Sequence, residues 1–282
     1  GAKITLGITT YNRLDLLKAM SLSLYDSNLN VPHNIRIYDD CSSEYTTTEL
    51  KDLFPTAALI KRNEQNMKAD RNTFQMYKDF LSTSDSYFFN ADSDLIFHPQ
   101  WLVKSLELLP ETSGILSIFN SNYHVPLKII NETFCIKETI GAAGTLFTRN
   151  RVEEFMKYFT SYEAGETFDY QWSKYFKDRK TPIYCTNKSL VQHIGYSGQN
   201  SMFVFDYGRN FTVESTDNGQ IINDVFEAYL DEARALYDKD KEKRQREKNS
   251  FLYHIKRCFI IIIKHVLPRK IVDKIFKIRN RR

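Results

Sequence analysis

Asp92-Ser93-Asp94 places two carboxylates two residues apart, at the end of the apolar run Tyr87-Phe88-Phe89. Hard oxygen ligands of this kind suit Mg²⁺ or Mn²⁺, and a metal held by one or two carboxylates fills its shell with water and substrate phosphates. The pair therefore fits chemistry with a diphosphate leaving group; its plain alternative is a solvated turn. Asp39-Asp40 also closes a short apolar run, where carboxylates can accept hydrogen bonds from a base N–H or a ribose hydroxyl. There the alternative is helix capping by Asp40, Ser42 or Ser43. Arg71, in Ala69-Asp70-Arg71-Asn72, offers a guanidinium to a phosphate or a base, or is an exposed arginine.

The elements that must position these groups alternate. Ile4–Thr10 reads as a buried strand, and Leu14, Leu17, Met20 and Leu24 then recur at helical spacing. Ile35–Tyr38 and Ala57–Ile60 read as strands, Ala69–Leu81 as a helix, and Ser86–Phe89 as a strand ending before Asn90. Pro99 suits the opening of a helix over Gln100–Leu109, and Gly114–Phe119 reads as the next strand. Such alternation predicts an α/β sheet, largely parallel and flanked by helices. Ligands of such sheets bind at the carboxyl ends of the strands, where the polar clusters at 10–13, 39–43 and 92–94 all fall. Residues 120–148 read as a hairpin and a substrate-facing loop, Gly141–Thr145. Short helices are expected at Glu153–Phe159 and Phe168–Phe176, and a strand at Ser189–Ile194.

In order, Thr9-Thr10-Tyr11-Asn12-Arg13, Asp39-Asp40-Cys41-Ser42, Asp70-Arg71-Asn72 and Asn90-Ala91-Asp92-Ser93-Asp94 resemble the nucleotide-sugar half of glycosyltransferase family 2. The resemblance covers roughly residues 3–200 and implies the GT-A fold, a Rossmann-like α/β arrangement. It implies that Thr10, Tyr11, Arg13, Asp39, Asp40, Arg71, Asp92 and Ser93 surround the nucleotide-sugar, with Asp94 as a direct metal ligand beside Asp92. Two departures stand out: Cys41 replaces a usual glycine, and Phe74 replaces a small residue after the Arg-Asn pair.

Gly165-Glu166-Thr167-Phe168-Asp169-Tyr170-Gln171-Trp172 resembles the family's acidic segment at a helix start, which implies Asp169 as catalytic base with Glu166 as the second candidate. The alternative is acidic charge favouring the helix dipole. Val191-Gln192-His193-Ile194-Gly195 resembles the late histidine segment, which adds His193 to the metal set and moves preference from Mg²⁺ toward Mn²⁺. The implied activity is inverting transfer of a sugar, hexosyl or N-acetylhexosaminyl, from a nucleotide-sugar. UDP is the default nucleotide. The implied acceptor is a hydroxyl of a glycan, a lipid-linked glycan or a surface polysaccharide.

The composition is that of a folded chain, 42% hydrophobic and 26% charged over 282 residues. Its charge is divided: residues 238–282 carry a balance of +11, and the rest −7. The expected organisation is a catalytic domain at 1–222 and a basic, amphipathic helical tail at 223–282. Cys258–Ile263 is an uncharged run far too short to span a bilayer, which needs about 20 residues. Phe251–Arg282 instead fits interfacial helices on an anionic membrane surface, or a helix docked on protein. The interleaved residues are mainly aliphatic, which disfavours nucleic acid. Four scattered cysteines and no secretory-type leader lead us to expect reduced thiols on the cytoplasmic face of a membrane. Absence of GxGxxG and Walker sequences speaks against dehydrogenase and P-loop readings. A catalytically inactive module recruiting partners to the membrane is the non-enzymatic alternative.

Overall fold

The computed structural model describes residues 3–159, 167–195, 206 and 208–212, and scattered positions between 227 and 250. The chain divides into two compact units, Gly1–Leu230 and Asp231–Arg282, and every element below belongs to the first. Glu166, the expected boundary after residue 222 and the stretch 251–282 lie outside the described residues.

The elements in chain order are β1 (Ile4–Thr10), α1 (Leu14–Asp26), β2 (His33–Asp39), α2 (Thr47–Leu53), β3 (Ala57–Arg62), α3 (Ala69–Leu81), β4 (Tyr87–Asp92), β5 (Leu95–Phe97) and α4 (Trp101–Leu108). A 3₁₀ turn at Leu109–Glu111 precedes β6 (Ile115–Ser117), β7 (Pro126–Ile129), β8 (Phe134–Lys137) and β9 (Thr145–Thr148). Then come α5 (Arg149–Tyr158), α6 (Phe168–Asp178), β10 (Ile183–Thr186) and β11 (Val191–His193). Nine strands form one sheet in the order β3-β2-β1-β4-β9-β6-β10-β8-β7, in which only β8 and β9 run against the others. This is the helix-flanked, mostly parallel α/β sheet expected from the alternation.

Alternation along each strand sends side chains to two cores. On one face Ile4, Leu6 and Ile8 of β1 pack with Leu17, Met20 and Leu24 of α1, Leu50 of α2 and Trp101 of α4. The other face is aromatic: Phe88 of β4 and Phe147 of β9 meet Tyr77 of α3, Phe155 of α5, and Phe168, Trp172 and Phe176 of α6. Adjacent residues of β4 split between them, Phe88 to the aromatic core and Phe89 to the aliphatic one. Phe74 packs edge-on against Phe168 with ring centroids 5.5 Å apart, so the bulky residue after Arg71-Asn72 joins α3 to α6.

Several sequence expectations need correction. Asn90 and Asp92 are strand residues, because β4 stays paired with β1 through Thr9↔Asp92 and with β9 through Asn90↔Thr145. Ser93-Asp94 is a tight turn into β5, a strand too short to show a period. Neither β5 nor β10 was expected; β5 pairs with β11 to make a separate two-stranded sheet. Helix α2 is capped by Thr46 in a reciprocal capping box with Glu49, and not by Asp40, Ser42 or Ser43.

Candidate active site

The carboxyl ends of β1, β2 and β4 bring Thr10, Asp39 and Asp92 to one edge, in the register Thr10↔Asp39 and Thr9↔Asp92. Asp39 is completely buried and fixed by Ser42, whose backbone N–H and hydroxyl both donate to it, and by Arg62 Nε at 3.2 Å. Asp40 Oδ1 accepts from Met67 N–H at 2.7 Å and Asn63 Nδ2 at 2.9 Å. These two carboxylates thus organise the loops after β2 and β3. Thr10 shares a hydrogen bond with the Tyr45 hydroxyl, Tyr11 is half-buried, and Arg71 is exposed on the first turn of α3.

The tight turn after β4 is where the acidic chemistry gathers. Ser93 is buried there, and Asp94 beside it is only 1% exposed. Pairing of β11 with β5 sets His193 opposite Leu95, so the imidazole arrives next to Asp94. His193 Nε2 lies 3.1 Å from Asp94 Oδ1, an ion-pair separation, and no other donor among the described residues reaches that buried oxygen. On its other side, Arg13 Nη1 donates to Asp94 Oδ2 at 2.7 Å.

Asp92, Asp94 and His193 form the one metal-type cluster among the described residues, with a ligand atom from each within 4.8 Å of the others. A donor set of two carboxylates and an imidazole, with one buried carboxylate oxygen that only His193 approaches among the described residues, fits a divalent cation such as Mn²⁺ or Mg²⁺. The electrostatics fit too. Burial and the neighbouring Asp94 charge push Asp92 up to about 6. Burial would also raise Asp94, but His193 and Arg13 outweigh it and hold the carboxyl well below the usual range. His193 is opposed by its own burial, yet the Asp94 carboxylate, aided by Asp92, raises it to about 9. Compact negative charge that draws protons and cations in this way is what a divalent ion would neutralise.

Asp169 lies in the first turn of α6, half-buried. Its Oδ2 accepts from Ala142 N–H at 3.3 Å and its Oδ1 from its neighbour Tyr170 N–H at 2.7 Å, and its charge reaches Asp92. The Gly141–Thr145 loop therefore sits against Asp169. Asn90 Nδ2 anchors the same loop through the Ala142 carbonyl, and Thr145 Oγ1 bonds the Gly141 carbonyl.

Sequence reasoning missed the residues that hold these groups. Asp70 Oδ1 accepts from Phe168 N–H at 2.9 Å, capping α6 from across the fold. Asn12 stitches two loops together: its N–H donates to Ser42 Oγ at 2.8 Å and its Oδ1 accepts from Ser43 N–H at 2.8 Å. Gly195 lies so close that a Cβ there would sit 1.9 Å from Asp94 Oδ2. The only signal for Gly195 was its position two residues after His193.

Residues 5–126 match the family described as glycosyl transferase family 2. Among solved structures, S. aureus TarS 1-349 is similar with a TM-score of 0.53 and 16% identity, over 67% of this chain and 59% of that one. TarS 1-349 in complex with UDP-GlcNAc gives the same TM-score and identity, over 67% of this chain and 57% of that one. The chain thus spans less than two thirds of these relatives, and at this identity the likeness concerns the fold. No curated protein sequence matches. The match to glycosyl transferase family 2 thus spans residues 5–126, and the fold that carries them is that of the GT-A transferases.

Proposed function

We propose that this chain is an inverting, metal-dependent glycosyltransferase that moves a sugar from a nucleotide-sugar to an acceptor hydroxyl. The observation that carries the reading is the meeting of Asp92, Asp94 and His193 at the end of β4, with Asp169 of α6 near enough that its charge helps to raise Asp92. The family match supports a nucleotide-sugar donor, and a fold relative that holds UDP-GlcNAc favours a UDP-sugar.

Asp92, Asp94 and His193 would hold Mn²⁺ or Mg²⁺, which when bound supplies positive charge against a departing diphosphate. Thr10, Tyr11, Asp39, Asp40, Arg71 and Ser93 stand at the strand ends and loops where the nucleoside would lie. Asp39 and Asp40 act mainly by fixing the loop walls. Asp169 takes the proton of the acceptor hydroxyl as that oxygen bonds to the anomeric carbon. The bond from that carbon to the diphosphate breaks, its electron pair leaves with the diphosphate, and one displacement inverts the centre. Ala142 N–H orients Asp169 for this task. Glu166 is the second candidate base.

The acceptor in this reading is a glycan, lipid-linked or part of a surface polysaccharide. The basic and aliphatic stretch 251–282 would hold the enzyme at the anionic inner face of a membrane. No helix among the described residues is long and apolar enough to cross a membrane. Release of nucleoside diphosphate from a panel of UDP-sugars, with Mn²⁺ or with a chelator, tests the activity. Manganese-dependent release from one donor is expected, and no release from any donor with any acceptor hydroxyl would contradict it.

A further inference from the structure

Arg13 reaches Asp94 by an unusual backbone route. The turn between β1 and α1 passes through two successive non-glycine residues in the left-handed region, Asn12 at φ 52° and Arg13 at φ 58°. Such conformations cost on the order of 1 kcal/mol each and persist where neighbours over-determine them. Here the loop after β2 does so. Asn12 is bonded to Ser42 and Ser43, its Oδ1 also accepts from Glu44 N–H at 3.3 Å, and Leu14 N–H donates to Glu44 Oε2 at 3.0 Å. The strained turn delivers the guanidinium to Asp94 Oδ2.

The far wall is equally tight. A Cβ on Gly195 would lie 2.8 Å from Arg13 Nη1 as well as 1.9 Å from Asp94 Oδ2, so the backbone after β11 packs directly against this ion pair. Arginine is charged at every accessible pH and its planar fork suits a carboxylate. A buried carboxylate with no counterion is strongly destabilising. With His193 on the Oδ1 side needed as a metal ligand, Arg13 is the permanent charge that balances Asp94 whether or not a metal is bound.

We propose that Arg13 is a resident countercation of the metal site: it holds Asp94 by Oδ2 and keeps the acidic turn assembled without metal. It thereby leaves Oδ1 on the His193 side, and its charge weakens the binding of a divalent cation. This role rests on the metal-site reading above. It makes Arg13 a positioning residue that acts through Asp94, and it sets how readily the site exchanges its ion.

The test is Mn²⁺ binding followed by electron paramagnetic resonance, with thermal melting in parallel, on the wild type, Arg13→Gln, Arg13→Lys and Asp94→Ala. Removing a charge this close predicts Mn²⁺ binding tighter by about tenfold or more for Arg13→Gln. The same variant should melt lower than wild type without metal and regain more on adding Mn²⁺. Arg13→Lys, which keeps the charge, should bind near the wild-type affinity, and Asp94→Ala should lose the site. Arg13→Met keeps the packed stem and replaces Arg13→Gln if that variant does not fold. Wild type binding Mn²⁺ while the neutral variants bind it equally or more weakly overturns the inference alone. Absence of Mn²⁺ binding by wild type and neutral variants alike overturns the metal reading, and the role of Arg13 with it.

Discussion

His193 Nε2 stands 3.1 Å from Asp94 Oδ1 because β11 pairs with β5 in the register His193↔Leu95, and Ile194 N–H closes on the Asp94 carbonyl at 2.9 Å. The two-stranded sheet acts as a clasp. It joins the turn after β4 to a segment that follows the whole second half of the fold, and so completes the site.

The clasp has a pH signature in the metal-free protein. The folded His193 pKa is raised from 6.5 to about 9, so its contribution to stability is fully present below pH 6.5 and is lost as pH rises through about 9. Melting temperature followed from pH 6 to 10 should fall across that window for wild type, and the fall should be smaller in His193→Gln. An equal slope in both proteins would contradict the pairing.

Gly195→Ala and Gly141→Ala separate crowding from general glycine effects. The first places a Cβ 1.9 Å from a buried carboxylate oxygen, whereas the second finds its nearest neighbour, Asp169 Oδ2, at 3.9 Å. Overpacking of this kind costs about 1–3 kcal/mol. Gly195→Ala should lower stability by that order and impair Mn²⁺ binding, while Gly141→Ala leaves both near wild type in chemical denaturation and titration.

Asp169→Asn keeps the shape and a group able to accept from Ala142 N–H but removes the base. Transfer should fall about 10²- to 10⁴-fold with nucleotide binding unchanged, as read by product formation and calorimetry. Full activity would move the base elsewhere, with Glu166 next to be replaced.

Asp70 supports the same helix from a distance. Loss of an N-terminal cap costs about 0.5–2 kcal/mol, so Asp70→Ala should destabilise by that order. Because the cap positions the first turn of α6, kcat should drop more than the affinity for donor. Thermal melts and steady-state kinetics together read both effects.

Much of this arrangement was legible in the sequence, and the exceptions are instructive. β1 and α3 were read to the residue because long buried runs and helical spacing are strong local signals. β4 was cut short because Asn90 and Asp92 are polar; pairing with β1 and β9 keeps them in the strand, and no local pattern carries that. β5 and β10, of three and four residues, lack the length to show a period. Asp92, Asp94 and His193 were named from motif order, and the fold brings them together. The Arg13–Asp94 ion pair, the capping of α6 by Asp70 and the close approach of Gly195 all span the fold, and single-sequence spacing contains no information on such contacts.

The most direct measurement is calorimetric binding of UDP, GDP, dTDP and CMP to the wild type and to Asp94→Ala, each with and without Mn²⁺. The account predicts that wild type binds one nucleoside diphosphate, UDP, only when Mn²⁺ is present, and that Asp94→Ala does not. Binding of no nucleotide, or binding that ignores both Mn²⁺ and Asp94, would contradict it.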